Sequence, residues 1–391
     1  MNNVKEALCL ETVLGAIKKC LPDSLATVPL HEPSFNGNEW LYVKECIDTG
    51  WVSSSGSFVG RFEKLLSEIT DLHCVAVVNG TAALHMSLLL SGVTVNDEVL
   101  LPSLTFVATA NAITYLGAIP HFVDCEEATI GVDPNKLDRW LKEIADRRSD
   151  GTYNKRTGRR IKALIVMHTF GHPSDLDALA EVCQDFNLEL VEDAAQAIGS
   201  LYKGRHVGQT GKISAMSFNG NKMITTGGGG AILTKDESIA KVAKHLTTTA
   251  RLPHPWLVSH DQVAYNYRMP NLNAALGCAQ LEQLPTFLQR KRALTGRYAE
   301  AFANVSGLRL VKEPHFATSN YWLNALLLDE HESIQRDPIL ELTNSHGIMT
   351  RAAWQPLHTL PMFGDCPKME LRTVENLAAR IINLPSSPSL G

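Results

Sequence analysis

The chain has 391 residues, 45% hydrophobic and 20% charged, long enough to bury a large core in one large and one smaller domain. A formal charge of −5 argues against a nucleic-acid partner, and no stretch approaches the ~18 apolar residues of a membrane span. Glu6 and Glu11 interrupt the opening stretch, and the eight cysteines form no C-x-x-C pair, so neither a signal peptide, a disulfide frame nor a zinc site is expected; the thiols suit the cytoplasm.

In chain order, apolar spacing at Val4, Ala7, Leu8, Leu14, Ile17 and Cys20 predicts a helix inside an N-terminal extension over 1–35. A large domain is expected over 36–260 and a small one over 261–391. Apolar runs at 75–78, 98–101, 120–123, 163–167, 188–191, 213–218 and 231–233 alternate with helical periods. That rhythm predicts an α/β fold with a mostly parallel sheet buried on both faces. The basic cluster at 155–162 sits in a stretch from Arg147 to Arg160 that reads as a solvated loop or hairpin, with contact to a partner or acidic ligand as the alternative. Pro173, Ser174 and Asp175 announce a helix at Leu176, and residues 271–298 read as a long helix leading into the smaller domain.

The chemistry is concentrated in Ser217-Phe218-Asn219-Gly220-Asn221-Lys222, which puts a lysine after an apolar run and just before four glycines. Burial lowers an amine's pKa and frees its lone pair to attack a carbonyl, which is Schiff-base chemistry. The matching cofactor, pyridoxal phosphate, needs that lysine, a carboxylate for its ring nitrogen and donors for its phosphate. Asp193 ends an apolar run and supplies the carboxylate, although it equally fits the cap of a following helix. Gly80-Thr81-Ala82 opens a helix after the run at 75–78, where free N–H groups and the helix dipole favour a phosphate, and Ser217 adds a hydroxyl. Glycines 227–230 lack G-x-G-x-x-G spacing and lead into a strand, so they read as room for close backbone approach.

Six segments carry a resemblance over about residues 29–385: Gly50-Trp51-Val52-Ser53-Ser54 with Phe62-Glu63, Asn79 to Ala83, Pro102 to Phe106 with Ala108-Thr109, Glu192 to Gln196, Ser217 to Lys222, and Tyr265 to Met269. Together they resemble the DegT/DnrJ sugar aminotransferases, pyridoxal phosphate enzymes of the aspartate-aminotransferase fold (fold type I), with a large parallel-sheet domain and a smaller α+β domain. The resemblance implies that Lys222 forms the Schiff base and shuttles the proton. Asp193 would pair with the ring nitrogen, Gln196 would sit near the ring hydroxyl, and Gly80, Thr81, Ala82 and Ser217 would hold the phosphate. Phe106 would stack on the ring, where burial tendency alone would make it ordinary core. Asn266 would reach the phosphate from the other subunit of a homodimer; read locally, Gln196 and Asn266 are turn or cap residues.

Lysine at 222, where a related dehydratase branch has histidine, implies transamination with L-glutamate as donor. Residues 28–40 and 50–56 resemble the bacillosamine and legionaminic acid subgroup, with Ser55 departing from it. That implies amination at C4 of a UDP-linked 4-keto-6-deoxy-N-acetylhexosamine; the alternative is another nucleotide keto-sugar, of the GDP-perosamine or 3-amino type. Trp51, Ser53, Ser54 and His358 are expected at the sugar, and Arg268 and Arg251 at the diphosphate.

Overall fold

The computed structural model describes residues 8–22 and 26–391. The predicted N-terminal helix is α1 (Leu10–Lys19); Val4 and Ala7 lie outside the described residues. It is followed by α2 (Glu39–Thr49), α3 (Ser57–Thr70), α4 (Gly80–Leu90), α5 (Val107–Tyr115), α6 (Pro134–Ile144) and α7 (Leu176–Asp185). Then come α8 (Glu237–Thr247), α9 (Asn271–Ala301), α10 (Arg336–Ser345) and α11 (Arg372–Arg380). Asp175 caps α7 as its spacing requires, its side chain accepting from the Ala178 N–H.

The strands are β1 (His73–Val77), β2 (Glu98–Pro102), β3 (Ile119–Val123), β4 (Ala145–Arg148), β5 (Gly151–Asn154), β6 (Arg160–Met167) and β7 (Glu189–Asp193). A short pair, β8 (Leu201–Tyr202) and β9 (Arg205–His206), precedes β10 (Ile213–Ser217) and β11 (Gly230–Thr234). The C-terminal part adds β12 (Leu308–Leu310), β13 (Ala317–Thr318), β14 (Asn324–Leu328), β15 (Arg351–Ala352) and β16 (Ile381–Leu384).

Nine strands make the main sheet, in the order β1-β11-β10-β7-β6-β2-β3, with the β4–β5 hairpin on β6. All seven apolar runs are strands of it. The stretch from Arg147 forms that hairpin and the turn from β5 into β6, where Arg160 is tied to Asp97 at 2.6 Å.

Neighbours from β10 to β3 are parallel, while β11 is antiparallel to both β10 and β1. Two reversals leave β1 running with β10, so β1, β10, β7, β6 and β2 all deliver their C-terminal ends to one edge. Period-two alternation fills both faces. On β6, Leu164 and Val166 join the core under α3, α6, α7 and α9, while Ala163 and Ile165 join the one under α4, α5, α8 and α11. A third core unites Val13, Leu14 and Ile17 of α1 with Leu294 and Tyr298 of α9 and Leu326 and Ile382 of the sheet β12-β14-β16-β15. All eight cysteines are free thiols, and among the described residues no helix is long and apolar enough to cross a membrane.

Candidate active site

Asp193 is the last residue of β7, and the chain then turns instead of entering a helix, so its carboxylate caps no helix. It is 2% exposed; one oxygen accepts from the Thr109 hydroxyl at 2.7 Å and the other from the Ala195 N–H at 3.1 Å. Burial raises its pKa, while Thr109, the Ala195 amide and the Lys222 charge pull the other way. Lys222 lies in the loop after β10, partly buried, with its Nζ 4.1 Å from the centre of the Trp322 ring. Burial lowers its pKa to about 8, opposed by Asp193. The Trp322 indole is fixed beneath it by donating to the Asn221 carbonyl at 2.7 Å.

The second half of the site is the β1–α4 turn. Asn79 caps α4 by accepting the Ala82 N–H at 2.7 Å, and the amides of Gly80 and Thr81 meet no acceptor among the described residues. The expectation for Ala82 is therefore corrected, because its amide is already taken. Ser217 ends β10 beside this turn; a Cβ on Gly80 would stand 2.7 Å from the Ser217 Cβ. A Cβ on Gly230 would stand 2.5 Å from the Asn79 carbonyl oxygen, so glycine there is what lets β11 approach the turn.

Gly80, Thr81, Phe106, Asp193, Gln196, Ser217 and Lys222 line one cavity of about 620 Å³. Phe106 is 51% exposed, so the core reading fails; it sits on the cavity wall at the start of α5. Gln196 is buried there and accepts the Phe170 N–H at 2.9 Å.

The other expected residues are not brought to this cavity. Arg268 is buried in an ion pair with Glu63 at 2.7 Å and donates to the Ala76 carbonyl at 3.0 Å, so its guanidinium is spent on holding the chain to β1. His358 is clamped between the Ser103 hydroxyl at 2.8 Å and Glu375 at 3.3 Å. Trp51, Ser53, Ser54, Arg251 and Asn266 are exposed and lie outside the cavity lining of their own chain. Sequence reasoning missed His31, Thr109, Trp322, Arg351 and Asn383, which do line it. Thr109 and His31 could have been found, since they stand in resembling segments, with Ala108 and within 28–40; the others follow no local pattern.

These groups fit pyridoxal phosphate: a near-neutral amine, a buried carboxylate, an exposed aromatic ring and two free helix-start amides face one space. Fold and site together define a pyridoxal phosphate-dependent aminotransferase. The model of the DegT/DnrJ/EryC1/StrS aminotransferase family matches residues 33–391, and the chain belongs to that family. It is 38% identical over 368 residues to the GDP-perosamine synthase of Escherichia coli O157:H7, covering 93% of this chain and 94% of that one. It is 36% identical over 370 residues to the GDP-perosamine synthase of Vibrio cholerae, covering 93% and 95%. The crystal structure of the aminotransferase TlmJ from Streptoalloteichus hindustanus superposes with a TM-score of 0.83 at 30% identity, covering 93% and 95%.

Proposed function

We propose that the protein transfers an amino group from L-glutamate to the C4 keto carbon of a GDP-linked 4-keto-6-deoxyhexose. The UDP-linked N-acetyl sugar expected from the early segments is set aside in favour of the alternative, because the relatives from E. coli and V. cholerae are both called GDP-perosamine synthases. The observation that carries the reaction type is the convergence of Lys222, Asp193, Phe106 and the Gly80–Thr81 amides on one cavity.

When bound, the cofactor would supply an exchangeable carbonyl and an electron sink. Lys222 would move the proton at the reacting carbon in each half of the cycle, a task suited to an amine near neutral pH. Asp193, positioned by Thr109, would keep the ring nitrogen protonated, and the start of α4 with Ser217 would seat the phosphate. Phe106 would cover one ring face. We further propose that two copies pair, bringing Asn266, Trp51, Ser53 and Ser54 to the partner's cavity. What supports this is their exposure together with Trp40 at 77% and Trp256 at 84%, large apolar side chains that a partner would cover.

The test is incubation of the holoenzyme with glutamate and either GDP-4-keto-6-deoxymannose or a UDP-4-keto-6-deoxy-N-acetylhexosamine, with the aminated carbon located by NMR. Amination of the GDP sugar at C4 is expected; turnover of the UDP sugar alone, or amination at C3, would refute the reading.

A further inference from the structure

We propose that Trp322 is a positioning residue for Lys222, its indole face seating the ammonium whenever the lysine is not bonded to the cofactor. The proposal rests on the reading of Lys222 as the lysine that carries the cofactor. Its Nζ stands 4.1 Å from the centre of the ring and makes no hydrogen bond or ion pair among the described residues, so the ring face is the contact its charged end makes. An ammonium within about 6 Å of an indole centroid is drawn to the negative face of the ring, most strongly where water is excluded.

The ring is set in place before the lysine needs it. Trp322 is 5% exposed and held at three points: its indole N–H donates to the Asn221 carbonyl at 2.7 Å, its backbone N–H donates to the Asn320 side-chain oxygen at 2.8 Å, and its carbonyl accepts from Lys291 at 3.0 Å. Asn320 in turn donates to the Gln196 and Ile198 carbonyls, both at 2.9 Å, which joins the tryptophan to the segment after Asp193. Asn221 directly precedes Lys222, so the indole bond fixes the ring against the lysine's own turn, which the Lys222 N–H closes on the Asn219 carbonyl at 3.0 Å. Packing alone requires neither that bond nor a ring face turned to the amine.

The groups around the amine leave the ring a distinct task. Asp193 on β7 is the acid that bears on Lys222, and His31, its ring 6.4 Å from that of Trp322, is held neutral by burial and by the Lys291 and Lys222 charges. Arg351 on β15 is the other cation of the cavity lining. Burial favours the free amine, while Asp193 and the ring face favour the ammonium. With Asp193 assigned to the cofactor's ring nitrogen, the indole is the group left to receive the charge. It can hold the ammonium without competing for the proton, because a π face neither accepts nor gives one.

The experiment mixes cofactor-free protein with pyridoxal phosphate across a range of pH. The adduct is fixed by borohydride reduction, and its initial rate of formation at residue 222 is read by peptide mass spectrometry. Mono-, di- and trifluorotryptophan placed at 322 weaken the negative face of the ring while keeping its shape and its N–H. The pH midpoint of capture should fall with each fluorine. Trp322→Leu should lower it by about one unit, so that capture at pH 7 becomes up to about tenfold faster, and Trp322→Phe should fall between. A midpoint indifferent to fluorination overturns the proposal even where Trp322→Leu shifts it, because the ring then acts only by filling space. A midpoint that rises overturns it as well. Should Trp322→Leu fail to fold, the fluorinated series still decides. A wild type with no adduct at Lys222 refutes the cofactor reading and the proposal together, whereas an adduct there with a fixed midpoint refutes the proposal alone.

Discussion

Lys222, partly buried, and Lys291, fully buried, are two lysines that both meet Trp322. Lys222 lies over the Trp322 ring in the cavity wall, whereas Lys291, on α9, donates to the Trp322 carbonyl at 3.0 Å and to the Ser386 carbonyl inside the protein. Burial drives both amines toward neutrality, Lys222 to about 8 and Lys291 well below its ordinary range. Their surroundings then divide them. Lys222 faces a buried acid across open space, while Lys291 is sealed against two backbone carbonyls and has nothing to react with. A depressed amine pKa is therefore not the mark of a site; access and an opposing carboxylate are.

Deleting each cation should sharpen the contrast. The largest effect is expected in Lys222→Ala, where amination falls by about a thousandfold or more because the proposed proton carrier is gone. Its thermal stability should hardly move, since a desolvated amine is removed; a marked loss in calorimetry would mean that Lys222 is structural too. Arg268→Met comes next. It leaves the nearly buried Glu63 with only Lys244 at 3.1 Å and the Ala76 amide, and should cost about 3 kcal/mol in denaturant unfolding. Activity per folded molecule should survive, and a selective loss of sugar affinity would restore Arg268 to the substrate. Lys291→Met is the milder structural case. Two buried carbonyls lose their donor, at about 1–3 kcal/mol, with the cofactor's absorbance intact; a colourless, stable variant would abolish the distinction between the two amines.

Legibility followed the same division. The strand ends and the turn at Gly80 were readable, because continuous apolar runs and a glycine at a helix start are local signals. Lys222, Asp193, Phe106 and Gln196 stand in such segments, and the structure gathers them. Arg268 and His358 also stand in recognisable segments, but their partners Glu63, Ser103 and Glu375 lie 205, 255 and 17 residues away. Whether an arginine is free or spent depends on those distant groups. Arg351 and Asn383 were invisible for the complementary reason: only the pairing of β15 with β16 brings them together. Trp51, Ser53, Ser54 and Asn266 are exposed and lie outside the cavity lining, which no local signal in their segments shows.

The smallest predicted effect is a pH profile, and it tests the two lysines together. The neutral amine is the nucleophile, so capture of added pyridoxal phosphate by cofactor-free protein should accelerate as pH rises and level off above about 8, rather than near the ordinary 10.5 of lysine. Stability should carry the same signature. The folded pKa lies below the unfolded one, so between about 8 and 10.5 the unfolded chain binds more protons and the cofactor-free protein gains stability with rising pH. Lys291 contributes a slope of the same sign, because its pKa is also depressed. Lys222→Ala should therefore abolish capture while leaving the Lys291 part of the stability slope, and Lys291→Met should do the reverse. A capture profile still climbing past pH 10 in the wild type would mean that Lys222 is not held near neutrality by its burial, and with that the difference between the two amines would rest on access alone.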